Sequence, residues 1–267
     1  MHTSRVPLEA ASPGRVPPGP GPALLVVAHG SRDPRHAATV AALARRVRRS
    51  RPDLTVEVGH LDFNAPDVPG ALDRLAARGH RDVVALPLLL TRAFHAKTDI
   101  PSVLREYTAR HPWMTVRRAG VLGPDPLLTA ALERRLAEAG VRPGDGPTGV
   151  VLASAGSTDP EAGAVIAQVA REWRHTGWCA VVPAFASARG PRTEDAVRAL
   201  RAGGVRRVAV APYVIAPGFL PDRILRGARE AGADAVADVL GDAPELAALL
   251  LRRYDAARTA APLPRAA

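Results

Sequence analysis

The chain has 267 residues and a single cysteine, Cys179, which excludes an internal disulfide framework and a multi-cysteine zinc site. Aromatic residues make up only 4% of it, so a core must be built from Ala, Val and Leu. No apolar run approaches the ~20 residues that a membrane-spanning helix needs. HExxH, paired CxxC, GxGxxG and GxxxxGK[ST] strings are all missing, which argues against closed zinc sites and against dinucleotide or nucleoside triphosphate chemistry. Lysine is almost missing too: Lys97 stands alone among 36 basic residues, the others being arginine. With 26 acidic residues the net charge is +10, but the arginines are scattered and lack interleaved aromatics. That pattern reads as solvated helix faces and not as a nucleic-acid surface. The expectation is a cytoplasmic globular protein with neither a membrane nor a nucleic acid as partner.

What is present is a strand-helix alternation, found twice. Residues 1–22 hold six prolines without hydrophobic periodicity and read as a disordered leader. Ala23–Ala28 is a short apolar run ended by His29-Gly30-Ser31, as expected of a parallel strand buried on both faces. Helical spacing follows over Pro34–Arg51, strand alternation over Thr55–Gly59 and a helix over Val68–Arg78. Asp82–Leu90 reads as a buried strand, Asp99–Tyr107 as a helix, Thr115–Ala119 as a strand and Pro126–Ala139 as a helix. After a Pro/Gly-rich linker, Val141–Gly149, the pattern restarts with a strand at Val150–Ser154. Ala155-Gly156-Ser157-Thr158-Asp159-Pro160 repeats four of the six residues of His29-Gly30-Ser31-Arg32-Asp33-Pro34. Ala199–Pro212 echoes Arg74–Pro87 at an offset of 125 residues, and Phe219 pairs with Phe94. The fold class is therefore α/β: two tandem homologous domains, 23–140 and 150–258, each a parallel sheet flanked by helices in flavodoxin-like layers.

A duplication carries its own control, because what both copies keep is structural and what one copy alone has is a candidate for chemistry. Gly30, Ser31, Asp33 and Pro34 recur and fit a capped turn opening a helix. His29 is replaced by Ala155 and His95 by Leu220. Both histidines follow the carboxyl end of a parallel strand, where open α/β sheets bind ligands. Neutral imidazole is a common metal ligand and titrates near neutrality, so His29 and His95 are expected to hold a metal and do the chemistry. His60, beside Asp62, is a candidate auxiliary ligand. His36, His80, His111 and His175 are expected on surface helices or turns.

At these residues the sequence resembles a known family. The AHGSRDP string, a Pro-Leu-x-Leu run and His95-Ala96-Lys97-Thr98-Asp99-Ile100-Pro101 are similar to the sirohydrochlorin chelatases, small class II tetrapyrrole chelatases, in their long two-domain form. The family's two metal-binding histidines map to His29 and His95; in place of its usual glycines, Thr91-Arg92-Ala93-Phe94 precede the second. The resemblance implies insertion of Fe2+ or Co2+, as substrate, into sirohydrochlorin for siroheme or cobalamin, without a nucleotide. Ser31, Arg32, Arg92 and Lys97 are the expected holders of macrocycle carboxylates. One active site per chain and a monomer with pseudo-dimeric halves are implied. The alternative is a non-catalytic metal or tetrapyrrole carrier of the same fold.

Overall fold

The computed structural model describes residues 21–91, 98–187 and 190–263. The first half runs β1 (Ala23–Ala28), α1 (Pro34–Ser50), β2 (Val56–His60), α2 (Val68–Ala77), β3 (Asp82–Pro87), α3 (Asp99–Arg110), β4 (Thr115–Arg118) and α4 (Pro126–Glu138). The second repeats it: β5 (Thr148–Ser154), α5 (Pro160–Trp173), β6 (Ala180–Phe185), α6 (Thr193–Ala202), β7 (Arg207–Tyr213), α7 (Phe219–Glu230), β8 (Ala235–Val236) and α8 (Pro244–Arg258). Most of the leader expected over 1–22 lies outside the described residues. No helix among the described residues is long and apolar enough to cross a membrane.

Each half forms a four-stranded parallel sheet, in the orders β2-β1-β3-β4 and β6-β5-β7-β8. Every residue of β1 is buried, as a parallel strand covered on both faces requires. Leu25 and Val27 face an outer core closed by Leu72 and Leu75 of α2 and Leu104 of α3. Leu24 and Val26 face inward, into a core that runs without interruption to Val150 and Leu152 of β5. A separate outer core covers the far face of the second sheet under α6 and α7. The result is five layers, with α1, α4, α5 and α8 sandwiched between the two sheets.

That sandwich changes the meaning of the duplication. The last helix of each half does not close its own sheet. Instead α4 packs on β7 of the second sheet, while α8 packs on β3 and β4 of the first and against α1 and α4. Leu246, Leu249, Leu250 and Tyr254 of α8 are buried there. Trp173 of α5, fully buried, donates its indole N–H to Glu133 of α4 at 2.9 Å.

Several arginines expected on solvated faces are committed to the other half. Arg46 pairs with Asp242 at 3.1 Å and Arg51 with Asp255 at 2.7 Å. Arg134 pairs with Glu245, and Arg252 and Arg253 converge on the Asp125 carboxylate that caps α4. The partly exposed Arg46–Asp242 pair contributes about 0.2–1 kcal/mol, whereas the Asp125 side chain is only 6% exposed beneath Arg252 and Arg253.

Element ends differ from expectation in two informative places. The third strand stops at Pro87, three residues before Leu90, and Leu88–Leu90 turn away to line a cleft. The linker is shorter than expected, because Val141 is buried in the shared core and β5 starts at Thr148.

Candidate active site

The order β2-β1-β3 makes a topological switch point: chain leaving β1 and chain leaving β3 depart to opposite faces, opening a crevice between their carboxyl ends. The equivalent crevice of the second sheet lies between β5 and β7. The two open onto one another. Together they form a cleft of about 450 Å³, open to solvent on one side. The first half contributes His29, Gly30, Ser31, His36 and Leu88–Thr91. The second contributes an apolar wall that includes Ala155, Ala162, Ile166, Phe185, Ile215 and Leu220.

His29 is held by the turn that follows β1. Its carbonyl accepts from the Asp62 amide at 2.9 Å, which pins it to the loop after β2. Gly30 has φ +94°, and a Cβ there would overlap the Asp62 carbonyl oxygen, so only glycine lets the two loops approach. The Ser31 amide donates to Asn64 Oδ1 at 2.8 Å, and Ser31 Oγ accepts from the Asp33 amide. Asp33 then caps α1 and Pro34 opens it. The second half builds the same turn around Gly156, Ser157 and Asp159, with Ala155 where His29 stands. The expected division between shared scaffold and unshared histidine therefore holds at this turn.

Of the residues expected at the site, His29 and Ser31 line the cleft. Arg32 is exposed beside it, its guanidinium stacked over Phe63 at 5.1 Å. Arg92, His95 and Lys97 lie outside the described residues, as does Phe94. His60 is buried at the end of β2, beside β1, and is not among the cleft-lining residues. Among the described residues no three His, Cys, Asp or Glu side chains gather into a metal-holding cluster.

The fold agrees with what the chain is similar to. The CbiX family model matches residues 23–139 and, a second time, residues 149–257. The chain belongs to the CbiX family. A sirohydrochlorin cobaltochelatase of Priestia megaterium is 27% identical over 205 residues, which span 75% of this chain and 66% of that protein. A sirohydrochlorin ferrochelatase of Bacillus subtilis (strain 168) is 26% identical over 205 residues, 76% of this chain and 78% of that one. Among solved structures, SirB from Bacillus subtilis with Fe3+ superposes with a TM-score of 0.77 at 25% identity, covering 88% of this chain and 94% of that one.

Two histidines of this CbiX chain are corrections to the sequence reading. His36 is not a surface residue: it is half-buried on the first turn of α1, lines the cleft, and leaves Nδ1 buried without a hydrogen-bond partner. His80 is buried ahead of β3, also with Nδ1 unpartnered. The pattern had carried both. His36 continues the buried stripe of Val40, Leu43, Ala44 and Val47 one turn back, and His80 falls opposite Val205 at the repeat offset.

The buried histidines set a pH dependence. Burial pushes the imidazoles of His36, His60 and His80 below the ordinary value, with His60 and His29 adding to the effect at His36 and Arg78 at His80. A depressed folded-state value means that the unfolded chain binds protons more readily. Their contribution to stability is complete above about pH 6.5 and is lost as pH falls. His60 occupies the register position of Phe185 in the second sheet. We expect His60→Phe, which removes an unsatisfied buried nitrogen, to raise stability by about 1–3 kcal/mol below pH 6 and to flatten the pH profile. Urea unfolding at pH 7.5 and 5.5 measures this; an unchanged pH slope would count against it.

Proposed function

We propose that this chain inserts a divalent metal, Fe2+ or Co2+, into sirohydrochlorin without a nucleotide cofactor. The observation that carries the reading is His29, set at the switch point of one sheet and facing an apolar wall supplied by the other. A flat, hydrophobic-faced macrocycle fits between such walls. Its carboxylates stay at the open rim, and the His29 imidazole faces the ring from one side.

In this reading the metal is held by His29 and by His95, from the segment after β3. Few ligands suit a metal that must leave again. Ser31 offers its hydroxyl proton to a macrocycle carboxylate, since its oxygen is already taken by the Asp33 amide. Arg32, Arg92 and Lys97 supply cations at the same rim, and a net charge of +10 draws the polyanionic substrate in. Because both walls of the cleft come from one chain, a monomer suffices. We place it in the cytoplasm, with no membrane or nucleic-acid partner.

The test is anaerobic incubation of the purified protein with sirohydrochlorin and Fe2+ or Co2+, separately and in competition. The visible absorbance of the macrocycle reports metallation. Many turnovers per chain with one metal support a chelatase and identify its preference. Tight binding of metal or macrocycle without turnover would replace it with the carrier reading.

A further inference from the structure

Metal insertion must dispose of two pyrrole protons, and an imidazole whose lone pair holds the metal cannot accept one. Among the described cleft-lining residues the side chains that ionise are His29, His36 and Tyr213. Tyr213 is unsuitable, because its phenol is buried with no partner and burial, reinforced by Asp125, pushes it well above the usual range. His36 remains.

The duplication singles it out by the logic that singled out His29. The two turns align in sequence, Gly30 with Gly156 and Pro34 with Pro160, so His29 corresponds to Ala155 and His36 to Ala162. All four line the cleft. The first half therefore presents two imidazoles where the second presents two methyl groups. His36 is fixed on the rigid first turn of α1, and its amide donates to the Asp33 carbonyl at 3.1 Å.

From this geometry we infer that His36 is the residue that takes the first proton from the macrocycle while His29 presents the metal, a role that rests on the chelatase reading. One pyrrole N–H bond breaks, its electron pair stays on the ring nitrogen to bond the metal, and the proton goes to the His36 imidazole and then to water. The second pyrrole proton goes to His29 once its imidazole has given up the metal. One divalent cation enters and two protons leave.

The charged and titratable groups around His36 are consistent with this task. His60 from β2 and His29 from β1 disfavour its protonated form, as burial does, while Asp33 favours it. Across the cleft stands Tyr213, and at the rim Arg35 is neutralised between Asp33 and Asp222. Burial and the neighbouring imidazoles thus disfavour the charged form of His36, while the Asp33 carboxylate works in the opposite direction.

The experiment compares wild type, His36→Gln and His36→Ala with metal-free sirohydrochlorin and Co2+ under anaerobic conditions. We expect His36→Gln to lower kcat by about 10²-fold, with KM for the macrocycle unchanged and the acidic limb of the pH–rate profile lost. Imidazole added to the buffer should restore rate to His36→Ala. Wild-type rate and pH profile in His36→Gln would overturn the role, as would a rate loss in His36→Ala that imidazole does not rescue. If wild type itself fails to metallate sirohydrochlorin, the chelatase reading fails and the role of His36 fails with it, an outcome distinct from either of those.

Discussion

Replacing His29 by alanine should lower metal insertion into sirohydrochlorin by at least about 10³-fold, since partners that merely orient a metal ligand cost 10–100-fold when removed. The fold should survive the change. The hydrogen bonds that build the turn use the His29 carbonyl, the Ser31 amide and the Asp33 side chain, and none needs the imidazole. Alanine already occupies the equivalent place in the second half, where the same turn forms around Gly156. Unfolding by urea should therefore match wild type within about 1 kcal/mol, a surface-like effect. The variant should keep its affinity for metal-free sirohydrochlorin, because ring faces and carboxylates meet other residues. A binding isotherm against the macrocycle and an insertion assay together separate these expectations. A His29→Ala protein that turns over at the wild-type rate would remove the site assignment, whatever became of the family membership.

The sequence was most informative where structure is local or repeated. Buried parallel strands such as Ala23–Ala28 announce themselves by continuous apolar runs, and the Gly30 turn by recurring as Gly156. It was least informative where the partner of a side chain is far away along the chain. Arg46 and Arg51 look like any solvated helix cations, because Asp242 and Asp255 are about two hundred positions on. The exchange of α4 and α8 between sheets leaves no local signature either, since an amphipathic helix shows which face is buried but not against which sheet. His36 lay between these cases. Its place on the buried stripe of α1 and its pairing with Ala162 were both legible, yet a histidine three residues past a helix cap invites a surface assignment.

The exchanged helices lead to an expected result for the isolated halves: residues 21–140 produced alone should not be a folded monomer. Without α8 the first sheet loses the cover that Leu246, Leu249, Leu250 and Tyr254 give to its inner face. Each of these side chains contributes about 1.5–3 kcal/mol when fully buried, so together they rival the 5–15 kcal/mol that holds an average domain folded. At the same time α4 would keep Leu128, Leu132 and Leu136 exposed, because the β7 surface that receives it is gone. One escape remains. Two copies of the half can exchange α4 helices with each other, each α4 covering the other copy's sheet where α8 had been. The expected species are therefore an unfolded chain or a dimer with twice the His29 content, and light scattering with circular dichroism distinguishes them. Adding residues 141–263 in trans should recover a one-to-one complex with a single His29 cleft. A stable folded monomer of 21–140 would mean that α4 closes its own sheet, and the shared inner core would then be a contact between two independent domains.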